Sequence, residues 1–156
     1  MGFLKAGSVP ERTLLAASWA GVDSAIGSGE SVLWSYTVPA DTLTAVGEWI
    51  EWEWWAKGVA STQDLRTYVD GVQRLSTAIG TSQLEARGRI ARRAAGTAGE
   101  VYAHRNSGSS TANVHNGAET SIDFTGSFAI EGRTNGGTGS SQARLFGYQV
   151  WKVSPA

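Results

Sequence analysis

The stretch EWIEWEWWAK, residues 48–57, decides how this chain is read. Its even positions Ile50, Trp52, Trp54 and Ala56 are apolar, while Trp49, Glu51, Glu53, Trp55 and Lys57 make a mixed face. A period of two marks a strand, because successive side chains point to opposite sides of the pleat. The same period recurs on both sides of it. Val32, Trp34, Tyr36 and Val38 alternate with Leu33, Ser35 and Thr37 until Pro39-Ala40-Asp41 ends the strand. Leu65, Thr67 and Val69 run into Asp70-Gly71, a strong hairpin signal, and return through residues 72–75 toward Ile79. Residues 82–94 set Leu84, Ala86, Gly88 and Ile90 against Gln83, Glu85, Arg87 and Arg89, and the central Gly88 favours strand over helix.

Residues 100–106 read as a short strand, and Ile122, Phe124, Phe128 and Ile130 as one strand with a bulge at Gly126. The closing strand, residues 143–153, places Leu145, Gly147, Gln149, Trp151 and Val153 opposite Arg144, Phe146, Tyr148, Val150 and Lys152. Residues 106–116 and 134–141 are Gly/Ser/Thr/Asn loops. About eight evenly spaced strands without an amphipathic helix predict an all-β antiparallel sandwich of the jelly-roll type. The last strand is apolar on both faces, which predicts cover on both sides, one of them from another subunit.

Composition narrows the function. At 156 residues the chain fits one domain, with at most an appendage. Thirteen Lys and Arg against fourteen Asp and Glu give a net charge of −1, without the basic excess of a duplex nucleic-acid binder. No cysteine excludes disulfides and thiolate chemistry, and His104 and His115 alone cannot hold a structural zinc. No apolar run is long enough for a transmembrane helix. No catalytic, cofactor or metal constellation is expected.

The first thirty residues are small, apolar and rich in Gly, Ala and Ser, with GSGES at 27–31 as a hinge. Two readings stand level. Phe3, Leu4, Leu14, Leu15 and Trp19 could anchor an N-terminal arm, residues 1–30, to neighbouring molecules outside a domain of residues 31–156. The same segment could instead be an edge strand of that domain.

The densest chemistry is again in residues 48–55. Glu51 and Glu53 share a strand face at about 7 Å, near the spacing of paired glycosidase carboxylates. The order Glu-x-x-Glu-x-Glu is not that of the jelly-roll glycosidases, and a polar interface rim explains it better. Trp49 and Trp55, with Glu51 and Glu53 beside them, are expected to form a subunit interface first and a glycan-stacking platform second. RGRIARR at 87–93 splits its arginines between two faces, which reads as solvated or salt-bridged surface. NGGTG at 135–139 leads into no helix and is no phosphate cradle.

LWSYTVPADTLTAVGEWIEWEWWAKG at 33–58 resembles the opening of the small jelly-roll domains in tailed-phage virion proteins. Tyr36, Pro39, Ala40, Leu43, Gly47, Ala56 and Gly58 carry the likeness, and LRTYVDG, LEARGRIARRAAG and LFGYQVWKV extend it over roughly residues 31–153. The four tryptophans of the long strand depart from the lighter aliphatics of that family. The resemblance implies a homotrimer, tumour-necrosis-factor-like in architecture, on the virion surface. It would be a decoration or cement protein seated on the major capsid protein, or a head-fibre or tail-fibre tip that binds a host glycan. It implies no enzyme, cofactor, nucleic acid or membrane.

Overall fold

The computed structural model describes residues 9–23, 29–58, 64–78, 83–94, 98–107, 118–135 and 143–155. Among them are eleven strands and no helix: β1 (Glu11–Ser18), β2 (Val22–Asp23), β3 (Glu30–Val38), β4 (Trp49–Lys57), β5 (Asp64–Val69), β6 (Val72–Ala78), β7 (Gln83–Arg92), β8 (Ala98–Ser107), β9 (Ala118–Ser121), β10 (Phe128–Asn135) and β11 (Arg144–Ser154). All pairings between them are antiparallel.

The connectivity follows from the Asp70-Gly71 turn. Both residues have positive φ (51° and 73°), the geometry of a two-residue hairpin loop whose twist matches its strands. From that tip the chain runs back as a double ribbon: β5 pairs β6, β4 pairs β7, β3 pairs β10 and β1 pairs β11. Rolling the ribbon adds the β4–β11 and β5–β10 pairings. The result is two four-stranded sheets, β1-β11-β4-β7 and β3-β10-β5-β6, face to face. This is the jelly roll. β8 and β9 extend the first sheet beyond β7, and β2 adds to β11.

The core lies between the sheets. Ile50, Trp52, Trp54 and Ala56 of β4 are fully buried and face Leu65, Val69 and Ile130 of the smaller sheet. Trp54 Nε1 donates to Thr67 Oγ1 at 3.2 Å across the layers. Trp34 of β3 stacks on Tyr148 of β11, ring centroids 4.9 Å apart, and tilts against Trp54. Gly132 makes that possible, since a Cβ there would overlap the Trp34 indole.

Several readings of the sequence change. In β3, Leu33 is an extra residue between the Trp34–Gly132 and Val32–Arg133 pairs. Leu33 and Trp34 are therefore both buried, and Val32 turns to solvent. In β11, Phe146 is extra, so Leu145 joins Tyr148, Val150 and Lys152 on the inward side and parts from Gly147, Gln149 and Trp151. A bulge shifts the phase of a period of two, which simple alternation cannot anticipate. Residues 122–130 are not one strand: a turn closed by Gly126 N to Asp123 O separates β9 from β10. Thr134 and Asn135, assigned above to a loop, end β10, and Asn106 and Ser107 end β8. Glu11–Ser18 is the edge strand of the larger sheet, hydrogen-bonded to β11.

Glu48 ties the sheet to the loop before β4. Its buried carboxylate accepts from Thr44 N (2.7 Å), Ala45 N (2.9 Å) and Ser154 Oγ (3.1 Å), and Lys152 Nζ lies 2.7 Å away. Burial pushes this carboxyl up, but Lys152, the two amides and the Ser154 hydroxyl together hold it down at about 2. An unfolded Glu titrates near 4.5, so the native state binds fewer protons between these values. Stability from this clamp is complete above that pH and is lost as pH falls through about 2. Glu48→Gln is expected to cost on the order of 2 kcal/mol at pH 7, typical of hydrogen bonds to a charged group. Urea unfolding from pH 7 to pH 2 would show the gap closing toward acid, and a gap independent of pH would refute the clamp.

Candidate functional site

The two outer faces of the sandwich differ in chemistry. On the larger sheet, Trp49, Glu51, Glu53 and Trp55 point outward from β4, all half-buried. Register sets Trp151 beside Glu51, Gln149 beside Glu53 and Gly147 beside Trp55 on β11. On the other flank β7 supplies Arg89 beside Glu51, Arg87 beside Glu53 and Glu85 beside Trp55. β1 completes the face with Arg12 and Leu14, the latter opposite Trp151 and 56% exposed.

The N-terminal segment closes over this surface. Trp19, 61% exposed, stacks on Trp55 with ring centroids 5.1 Å apart and planes 26° apart. The Arg12 guanidinium sits 4.0 Å over the Trp151 ring, and its Nη2 lies 3.0 Å from Glu51 Oε2. Glu51 Oε1 in turn accepts from Trp49 Nε1 at 2.9 Å. Arg12 remains half exposed, and an exposed cation over an indole is worth about 0.5–1 kcal/mol, a stacked aromatic pair about 1 kcal/mol. Gly147 is the seat of Trp19: a Cβ there would lie 2.7 Å from Trp19 Cε3 and 2.8 Å from the Ser18 carbonyl oxygen.

Glu53 is the least exposed of the three carboxylates Glu51, Glu53 and Glu85. Burial, reinforced by a hydrogen bond with Glu85, pushes its carboxyl above the ordinary range, and Arg87 opposes the shift. Arg87 is ion-paired to both carboxylates. Glu51 and Glu53 are thus each engaged by a cation, with Arg12 and Arg87 where a glycosidase would need open space.

The structure therefore merges two groups of residues that the sequence kept apart. Leu14 and Trp19, expected in an anchoring arm, share one face with Trp49, Glu51, Glu53 and Trp55. Leu15 is the bulged residue of β1 and packs against the core. Phe3, Leu4 and His115 lie outside the described residues, as do most of the loops at 106–116 and 134–141. His104 stands on β8 opposite Arg87. Of the RGRIARR arginines, Arg92 donates from Nη1 to Leu43 O at 2.6 Å, and Arg93 is ion-paired with Glu100. Arg12, Gly147 and Trp151 were missed. Trp151 lay in a recognised strand, but only the register with Glu51 brings it to this face.

The outer face of the smaller sheet is polar. Glu30, Asp64, Arg66, Tyr68, Glu131 and Arg133 form a connected set of ion pairs and hydrogen bonds on β3, β5 and β10.

The chain matches no protein-family model and no curated protein sequence. Among solved structures it is similar to arcelin-5, a lectin-like defence protein from Phaseolus vulgaris, at 6% identity and TM-score 0.47, over 94% of this chain and 93% of that one. It is also similar to peanut lectin with a nine-residue peptide, at 5% identity and TM-score 0.47, over 99% and 96%. A structure of infectious bursal disease virus, Gt strain, shares 13% identity at TM-score 0.35 over 94% of this chain and 33% of that chain. The fold assignment rests on the strand order described above.

Gly147→Ala is expected to unseat Trp19 and to destabilise the protein by about 1–3 kcal/mol through overpacking. Near-ultraviolet circular dichroism should lose the same coupled-indole signal in Gly147→Ala as in Trp19→Ala, and an unchanged signal in either refutes the stack. Glu53→Gln should act oppositely to Glu48→Gln. A raised native carboxyl stabilises below its unfolded value and loses that contribution as pH rises through the native one. At pH 7 the amide is expected to leave stability unchanged or higher, read by urea unfolding.

Proposed function

We propose that the protein is a structural virion protein of a tailed bacteriophage, a homotrimer that decorates the capsid and is held there through its N-terminal segment. The observation that carries the reading is the outer face of the larger sheet. Trp49, Trp151 and Leu14 lie toward one end of it and Trp19 and Trp55 at the other, with Glu51 and Glu53 between them paired to Arg12 and Arg87. Protein interfaces are enriched in aromatic residues and Arg, and Trp and Arg dominate their hot spots. The resemblance of residues 31–153 to phage jelly-roll domains supplies the assembly and the virion context. In this reading the partners are two further copies of the chain and the major capsid protein, and the chain is not an enzyme.

A second reading is a fibre tip that binds a host glycan. Trp19 favours it, being the most exposed aromatic ring of the face. Trp55 is a poorer platform than the sequence implied, because Trp19 already covers one side of its ring.

The test is solution mass at micromolar concentration, followed by co-sedimentation with undecorated capsids. The expected species is three times the 16.5 kDa chain and sediments with shells. Leu14→Glu should weaken assembly tenfold or more, since it buries an unpaired charge. A monodisperse monomer would overturn the trimer. A trimer that ignores shells, yet binds a glycan array and loses that binding in Trp19→Ala, would replace decoration with the receptor reading.

A further inference from the structure

Arg66 of β5 and Arg133 of β10 stand directly opposite one another on the outer face of the smaller sheet. Like charges facing across a ladder repel, and such a pair persists where an anion sits between its members. Here that anion is a carboxylate from the same chain. Glu30 Oε1 accepts from Arg66 Nη1 at 3.1 Å and from Tyr68 Oη at 2.8 Å, and Glu30 Oε2 accepts from Arg133 Nη1 at 2.8 Å. The Arg133 guanidinium lies 4.3 Å over the Tyr68 ring, which holds the clamp in shape. The Nε atoms of Arg66 and Arg133 are buried and have no hydrogen-bond partner among the described residues.

We propose that Arg66, Arg133 and Tyr68 form a recognition site for the carboxylate of an acidic saccharide, which Glu30 occupies in the resting chain and yields to the ligand. Glu30 suits a displaceable occupant. It is the first residue of β3, on the edge of its sheet, and its side chain is 29% exposed. It can rotate away without breaking a ladder hydrogen bond.

The surroundings select the ligand class. Asp64 lies 3.5 Å from Arg66, Glu131 is paired with Arg133, and Gln73 Oε1 is 3.2 Å from the Tyr68 hydroxyl. These acceptors around the cationic seat suit a molecule with one carboxylate and several hydroxyl donors, such as a uronic acid. The two flanking carboxylates repel a dianionic phosphate or an acidic peptide run. The site is on the sheet opposite the aromatic face, so it stands or falls apart from the assembly reading.

The test is titration of the full chain with galacturonate, followed by NMR of the Arg66 and Arg133 side chains and the Tyr68 ring. Galactose, acetate and phosphate are run beside it. The expected result is saturable shifts with galacturonate, at least tenfold weaker responses to the other three, and loss of the response in Arg66→Ala. Glu30→Gln, which keeps the side-chain volume, should bind galacturonate at least tenfold more tightly than the natural chain. No saturable shift in the natural chain overturns the site, even if Glu30→Gln binds, because Glu30 is then a structural ligand. Equal binding of galactose or acetate overturns the acidic-saccharide assignment, and tighter binding of phosphate does the same.

Discussion

The inward face of β4 pressed against the smaller sheet is the contact on which the other features depend. Ile50, Trp52, Trp54 and Ala56 lose essentially all solvent there, and two indoles in one strand contribute apolar area that few other strands could match. β4 also lies between β11 and β7 in the larger sheet, so its position sets the register of both neighbours. Once its even side chains are inside, Trp49, Glu51, Glu53 and Trp55 have to point outward. The candidate interface is thus the other side of the core strand. Trp34 locks the two sheets by reaching over Gly132 to Tyr148 and Trp54, a fit that requires a residue without a side chain beneath the ring.

Three glutamates show how one residue type is used in different ways. Glu48 is buried, yet backbone amides, a hydroxyl and Lys152 surround its charge, so ionisation is favoured. Glu30 is partly buried, which alone would favour its neutral form, but Arg133, Tyr68 and Arg66 outweigh that and keep it ionised. Glu53 has Glu85 as well as Arg87 against it, and burial prevails. The deciding quantity in each case is the set of donors aimed at the carboxylate.

Much of the fold was legible because it is written in local rules. The alternation of residues 49–57 and the Asp70-Gly71 turn specify strand and hairpin without reference to distant residues, and β5, β6 and β7 were found in the same way. The readings that failed had a common cause. The extra residues Leu33 and Phe146 shift the phase of their strands to suit the partner strand, and the short β9 owes its existence to pairing with β8. Gly147 looked like one strand position among others, whereas its lack of a side chain seats Trp19.

The sequence by itself determined the class of fold, its most important strand and which residues of that strand face outward, since a pleat of period two needs only neighbouring residues. The tertiary structure alone decided what that outer face is. It brought Arg12 and Trp19 from the N-terminal segment onto Trp151 and Trp55, and it set Arg66 against Arg133 around Glu30. These contacts join residues far apart in the chain through the rolling of the ribbon. Strand order, and the register of strands that no tight turn joins, fix which side chains meet, and these are settled by long-range pairing.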